Sequence, residues 1–425
     1  MALKPEVTLT LWVMPNAGFA TRAIMEREIE EFRKSHPRTN VRLVIHPWSR
    51  AWDYLMDVAK DRPGARGPDL MQIGTTWVPT LAFLGMLSPL TSAQDGFEKS
   101  AFLPRSWDSC RVQGDENLYA VPWFLDVRVL YYRKDLLSRA DIPEKLLEDW
   151  RGFSEACRRL LEARRRSGNG GPYPLSVSSQ KPGVQLHDVA PWVWAAGGGF
   201  LDPVQNVSRL SAPETVRGLS FFYDLVADGV VPLMGRDTIA PIGSLFRGDY
   251  VMQFCGSWPA GSALKPGHAD YRAPVARQLG VAPFPIGPKG RYTFMGGSNL
   301  AVSSRCQRSE EAWALVRFLS TRKSQVRHCL GVSAVPSRLD SLDEVFAPYP
   351  RIRSVFLSSL DFARPLHSAV AMGSIERALW HFGERVLKLI QDAGYDERSL
   401  RAEIQKTDSE INTILSFYGG SRSRA

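Results

Sequence analysis

No stretch of the 425-residue sequence approaches the roughly twenty continuous apolar residues needed to cross a bilayer, which excludes a helical membrane-spanning chain. Met1 to Glu6 holds no signal-peptide core, so for an exported protein the targeting segment is expected to be absent from this chain. Cysteine is sparse: Cys110, Cys157, Cys255, Cys306 and Cys329 are scattered without C-x-x-C spacing. That rules out a zinc-ribbon pattern and a dense disulfide framework, and the odd number leaves one thiol unpaired in a monomer. The seven histidines form no H-E-x-x-H cluster. Neither a metal nor a cofactor is therefore expected. Low-complexity segments and internal repeats are also lacking.

Charge is not one-sided in its distribution. The net charge is +9, but the basic residues are dispersed and the aromatics are not interleaved with a basic ribbon, so nucleic acid is not an expected partner. The densest group, Arg158-Arg159 through Arg164-Arg165-Arg166, stands before Ser167-Gly168-Asn169-Gly170-Gly171, where cations at a helix C-terminus complement the helix dipole.

What is present is ample core material, 44% hydrophobic residues, in a chain too long for one hydrophobic core. Val7 to Val13 reads as a strand, followed by a Pro15-Asn16-Ala17-Gly18 loop and a helix in which Ile24, Ile29 and Phe32 share a face. That helix should stop near Ser35-His36-Pro37, because the residue before proline disfavours helix. Val41 to Ile45 is a second strand, Trp52 to Lys60 a helix, Pro68 to Ile73 a strand and Val78 to Met86 a helix. Alternation of this kind implies an α/β fold with a largely parallel sheet covered on both faces. It resumes after Tyr119, with strands at Arg128 to Tyr132 and Val251 to Phe254 and helices at Leu146 to Ala163 and Ala212 to Asp228, so a second α/β lobe is expected. Terminal amphipathic helices are predicted at Ile375 to Gln391 and Leu400 to Ser416.

Several ordered phrases carry a resemblance. Leu9-Thr10-Leu11-Trp12 is followed by Glu31-Phe32-Arg33-Lys34-Ser35-His36-Pro37 and by Gly67-Pro68-Asp69-Leu70-Met71-Gln72. Leu81-Ala82-Phe83-Leu84-Gly85-Met86-Leu87-Ser88-Pro89-Leu90 comes next, then Tyr119-Ala120-Val121-Pro122-Trp123, Gly256-Ser257-Trp258 and Gly296-Gly297-Ser298-Asn299-Leu300. In these the chain resembles the extracellular solute-binding proteins of carbohydrate ABC importers, the maltose- and trehalose-binding group. The resemblance implies a two-lobed periplasmic-binding-protein fold with discontinuous lobes, at about 1–120 with 286–322 and at about 125–280 with 326–425. It further implies a ligand cleft between the lobes that closes on the solute, an ABC permease as partner, a monomer, and a periplasmic or extracytoplasmic location, with or without a lipid anchor on the precursor.

Sugars present C–H faces that stack on aromatic rings and hydroxyls that need hydrogen-bond partners. By the resemblance, Trp123 and Trp258 are placed where ligand-stacking aromatics lie; Trp12, Trp77, Trp192, Trp194 and Trp48 offer further rings. Asp126 supplies a carboxylate acceptor, Arg364 in Phe362-Ala363-Arg364-Pro365 a planar fork, and Gly297, Ser298 and Asn299 a close backbone approach with polar side chains. Asn16 lies in the loop after the first strand. Maltose-type relatives carry a ligand-binding aspartate after the Pro-Asp strand, where this sequence reads Gly74-Thr75-Thr76-Trp77, so Thr76 and Trp77 replace a carboxylate with a hydroxyl and a ring. Reversible binding of a mono- or oligosaccharide, without catalysis, is the expectation. A charged solute (polyamine, opine or acidic sugar) is the alternative ligand. A glycoside hydrolase is the alternative of another class, for which no pair of carboxylates can be nominated from sequence order.

Overall fold

The computed structural model describes residues 6–16, 20–90, 96–168, 170–177, 186–202, 204–233, 242–258 and 273–420. Ala17 and Gly18 of the expected first loop, Asn169 and Pro259 lie outside them. The chain divides into two units, residues 1–126, 296–348 and 368–372 in one and residues 127–295, 349–367 and 373–425 in the other.

Strands β1 (Val7–Val13), β2 (Thr39–Ile45), β3 (Leu70–Gly74), β4 (Val121–Val127), β11 (Thr293–Val302) and β12 (Val335–Pro336) form a sheet in the order β12-β4-β11-β3-β1-β2, all of it in the first unit but Val127 of β4 and residues 293–295 of β11. β1 runs parallel to both neighbours, with Leu9 opposite Val41 and Leu11 opposite both Leu43 and Leu70. Interior strands of such a sheet are covered on both faces, which is why Leu9, Leu11, Val13, Met71 and Ile73 are all buried. The first helix, Thr21–Ser35, ends as expected before Pro37, with His36 stacked on Phe32 at 4.2 Å. Its buried stripe is Met25, Glu28, Ile29 and Phe32, whereas the expected Ile24 sits half-buried beside Gly331. Glu28 lies on that inward stripe because Arg327 Nε donates to it at 2.6 Å and Ser324 Oγ at 2.7 Å.

Those bonds also account for a difference in domain assignment. Residues 326–348 fall with the first unit, not the second: Val326, Cys329 and Val332 of the helix Arg322–Val332 join its core, and Gln325 Nε2 donates to the Pro122 carbonyl at 3.2 Å. The same helix buries His328, whose ring stacks on Trp123 at 4.2 Å. Neither ring nitrogen has a hydrogen-bond partner among the described residues, and burial holds the imidazole down to about 3. The folded-state value lies below the unfolded one, so between pH 6.5 and about 3 only the unfolded chain takes up this proton. Stability is present above that window and drains away as pH falls through it. We expect about 2 kcal/mol less stability at pH 5 than at pH 7 from this residue. Urea unfolding of the wild type and His328→Phe at both pH values tests this, since an equal acid loss in the two proteins would clear the imidazole.

The second unit holds β5 (Val129–Arg133), β6 (Tyr173–Val177), β9 (Tyr250–Cys255) and β10 (Leu279–Ala282) in the order β10-β5-β9-β6. β7 (Leu201–Asp202) and β8 (Val207–Ser208) make a small separate ribbon, and β13 (Ala363–Arg364) runs parallel to the first residues of β11. Helices Leu186–Ala195 and Pro213–Ala227 touch backbone to backbone at Gly218, where a Cβ would meet Val193 Cα at 2.5 Å. The expected terminal helices are present as Met372–Gln391 and Glu397–Gly420. None of the five cysteines forms a disulfide; four are buried and Cys306 is half-buried.

Candidate functional site

In the first unit the carboxyl ends of the parallel strands β2, β1 and β3 share one edge of the sheet, the place where open α/β sheets take their ligands. Half-buried rings line the segments that leave it. Trp12, at the end of β1, meets His46 after β2 edge-on at 4.3 Å, and His46 tilts against Tyr54 at 4.7 Å. Trp77, in the single turn Thr75–Trp77 after β3, packs against Trp48 at 6.1 Å and Trp52 at 5.4 Å. A Cβ on Gly74 would touch the Trp77 indole at 3.4 Å, so the ring lies over that glycine. Trp48 and Trp52 are one turn apart on the helix Trp48–Ala59 and therefore share a face. Burial pushes the His46 imidazole below its ordinary value, which keeps it a neutral ring among rings. Thr76 is half-buried in the same turn.

The carboxyl ends of β1 and β3 also carry a polar chain. The side-chain amides of Asn16 and Gln72 pair reciprocally at 3.1 and 3.2 Å, and Gln72 Nε2 also donates to Ser298 Oγ at 2.7 Å. Sequence reading missed Gln72, His46, Tyr54 and Trp52; the i, i+4 spacing of Trp48 and Trp52 is a signal that could have found the last.

Several expected residues are elsewhere. Trp123 is 0% exposed, in the first unit's core between His328 and Phe124, so it offers no ring face to a solute. Asn299 is buried and its amide donates to Ser109 Oγ at 3.1 Å, tying β11 to the turn after helix Pro104–Asp108. At Gly297 the backbone presses on β4: with φ +135°, a Cβ would lie 2.2 Å from the Phe124 carbonyl oxygen. Its glycine thus serves strand packing. Asp126 is half-buried at the end of the first unit.

In the second unit Trp192 is likewise 0% exposed, enclosed by Trp150, Phe153, Phe221, Phe254 and Phe284, and Trp194 is buried with it. Trp258 is half-buried. Tyr131 Oη donates to the Gly256 carbonyl at 2.9 Å, which fixes the turn leading to Trp258, and the Arg128 guanidinium lies 5.1 Å over the indole. Burial, with the Arg128 charge adding to it, pushes His187 well below its ordinary value, and the His187 ring packs against Phe294 at 5.2 Å. Opposite Phe294 on β13, exposed Arg364 stacks on Tyr292 at 3.8 Å. This unit therefore presents guanidinium groups over aromatic faces, and the guanidinium fork suits hydroxyl pairs and carboxylates.

Residues 17–326 match the family described as bacterial extracellular solute-binding protein. The "Probable ABC transporter-binding protein" of Deinococcus radiodurans is 27% identical over 59% of this chain, and the galactooligosaccharide-binding protein of Bacillus subtilis 24% identical over 73%. The chain spans 58% of the length of the first of these relatives and 68% of the second. Among solved structures, the GacH receptor of Streptomyces glaucescens, described unliganded and with acarbose, is similar with a TM-score of 0.78, 22% identity, and coverage of 97% of this chain and 99% of that one. A Thermotoga lettingae ABC transporter solute-binding protein bound with alpha-D-tagatose gives 0.79 at 20% identity, covering 96% and 100%. At these identities the likeness shows the fold, that of the two-lobed periplasmic binding proteins.

Proposed function

The chain belongs to the bacterial extracellular solute-binding proteins, and from that premise we propose that it reversibly binds a mono- or oligosaccharide and delivers it to the permease of an ABC importer. The observation that carries this reading is the set of half-buried tryptophans, Trp12 and the Trp48–Trp52–Trp77 cluster, in the segments that leave the carboxyl ends of three parallel strands. Aromatic faces there suit sugar C–H groups, and Asn16, in the loop after β1, suits hydroxyls. Relatives named for galactooligosaccharide, diacetylchitobiose and maltotriose binding support the same class of solute. On this reading the protein acts as a monomer outside the cytoplasmic membrane and performs no chemistry on its cargo. Arg128 over Trp258 and Arg364 over Tyr292 favour one second reading, an acidic sugar or another carboxylate-bearing solute.

Thermal unfolding across neutral saccharides, sugar acids, opines and polyamines separates these. A ligand at a hundred times its Kd stabilises the folded state by about 2.7 kcal/mol. Stabilisation by a neutral saccharide is the expected result, with about tenfold weaker binding in Trp77→Ala. Stabilisation by sugar acids alone would transfer the assignment to the second reading, and steady release of hydrolysed sugar would refute a pure binding role.

A further inference from the structure

Gln72 is buried in the middle of the first unit's sheet, on a strand whose neighbours in sequence are Met71 and Ile73. An amide in such a place must satisfy two acceptor sites and two donors internally. It does so completely. Its oxygen accepts from the Met14 backbone N–H at 3.0 Å and from Asn16 Nδ2 at 3.2 Å, while its nitrogen donates to Ser298 Oγ at 2.7 Å and to Asn16 Oδ1 at 3.1 Å.

The order of cause can be read from these partners. A backbone N–H only donates, so the Gln72 atom facing Met14 is the oxygen and the other is the nitrogen. That choice dictates which way Asn16 points, since donor must meet acceptor twice across the amide pair. Asn16 is half-buried and spends one N–H and one oxygen lone pair on Gln72. Among the described residues nothing else takes the remaining N–H and lone pair of Asn16, which lies in the loop leaving the carboxyl end of β1.

We propose that Gln72 is a positioning residue for solute recognition: it locks the Asn16 amide in one orientation, so the site presents a fixed donor next to a fixed acceptor, the complement of two adjacent hydroxyls. This rests on the saccharide reading for its ligand but not for its geometry. Gln72→Glu keeps the shape and the bond to Met14 but turns the Gln72 nitrogen into an acceptor, which opposes Asn16 Oδ1; two like oxygens then accept the Asn16 N–H equally in either orientation, and the amide is no longer locked in one. Ser298→Ala removes one anchor of Gln72 without placing a charge in the core.

The first measurement needs no ligand. The side-chain NH2 resonances of Asn16 in the full-length protein should show slowed proton exchange in the wild type, fast exchange in Gln72→Glu, and an intermediate rate in Ser298→Ala. Unchanged exchange in both variants would overturn the proposal. The second uses maltotriose, a galactooligosaccharide and diacetylchitobiose as titration probes. With a probe that binds, Asn16→Ala and Gln72→Glu should each weaken affinity about tenfold, and the double variant should lose no more than Asn16→Ala alone. Additive losses would overturn the proposal, because a merely structural defect acts independently of Asn16. If none of the probes binds, the saccharide reading fails while the exchange measurement still decides the role of Gln72.

Discussion

Gly297→Ala should lower the stability of the protein by about 3 kcal/mol or more, the sum expected for a strained backbone and an overpacked contact. At φ +135° the backbone is one that side chains rarely adopt, and the new methyl would stand 2.2 Å from the Phe124 carbonyl oxygen and 2.8 Å from Leu125 Cα. Both neighbours are backbone of β4, so no side-chain rotation relieves the clash; β4 and β11 must separate. Urea unfolding at pH 7 measures the loss. A change below about 1 kcal/mol would mean the two strands part easily, and the close approach at this point would then carry little of the sheet's stability.

Arg327→Met is the second large effect, at about 3–5 kcal/mol. Glu28 is 0% exposed and Arg327 supplies its charge-compensating bond, so the variant strands a carboxylate in the core with only Ser324 as partner. Replacing Glu28 as well, in Glu28→Met with Arg327→Met, should recover most of the loss, because two apolar side chains of similar volume pack without an uncompensated charge. If the double variant is no more stable than Arg327→Met, the stranded carboxylate is not the cause.

The sequence showed the alternation of strands and helices because prolines and glycines punctuate it and because β1, β3 and their helices keep clear apolar patterns. It also pointed to Asn16, Trp12 and Trp77, since each stands where the chain leaves a parallel strand. Trp123 was misplaced for a physical reason. Val121 to Leu125 is buried on both faces of the sheet, so alternation along β4 carries no sign of which side meets solvent. Trp192 lies on a helix buried nearly all round, where the same ambiguity holds. Gln72 stayed hidden because one glutamine in an apolar strand reads as a tolerated polar residue; only its four bonds reveal a purpose. The membership of residues 326–348 turned on Glu28, whose partners lie about three hundred residues further along the chain, a separation no local pattern encodes.

The strand order of the first unit sets a timetable for its birth on the ribosome. β11 stands between β3 and β4, yet it is synthesised about 170 residues after β4, and the segment 368–372 comes later still. A nascent chain ending at Asp126 holds β1, β2 and β3 with nothing to occupy the place beside β3, and so exposes an open sheet edge and the apolar faces meant for the helices Ser309–Leu319 and Arg322–Val332. The unit that starts first must therefore finish almost last, and for much of translation its opening segment keeps that edge and those apolar faces uncovered.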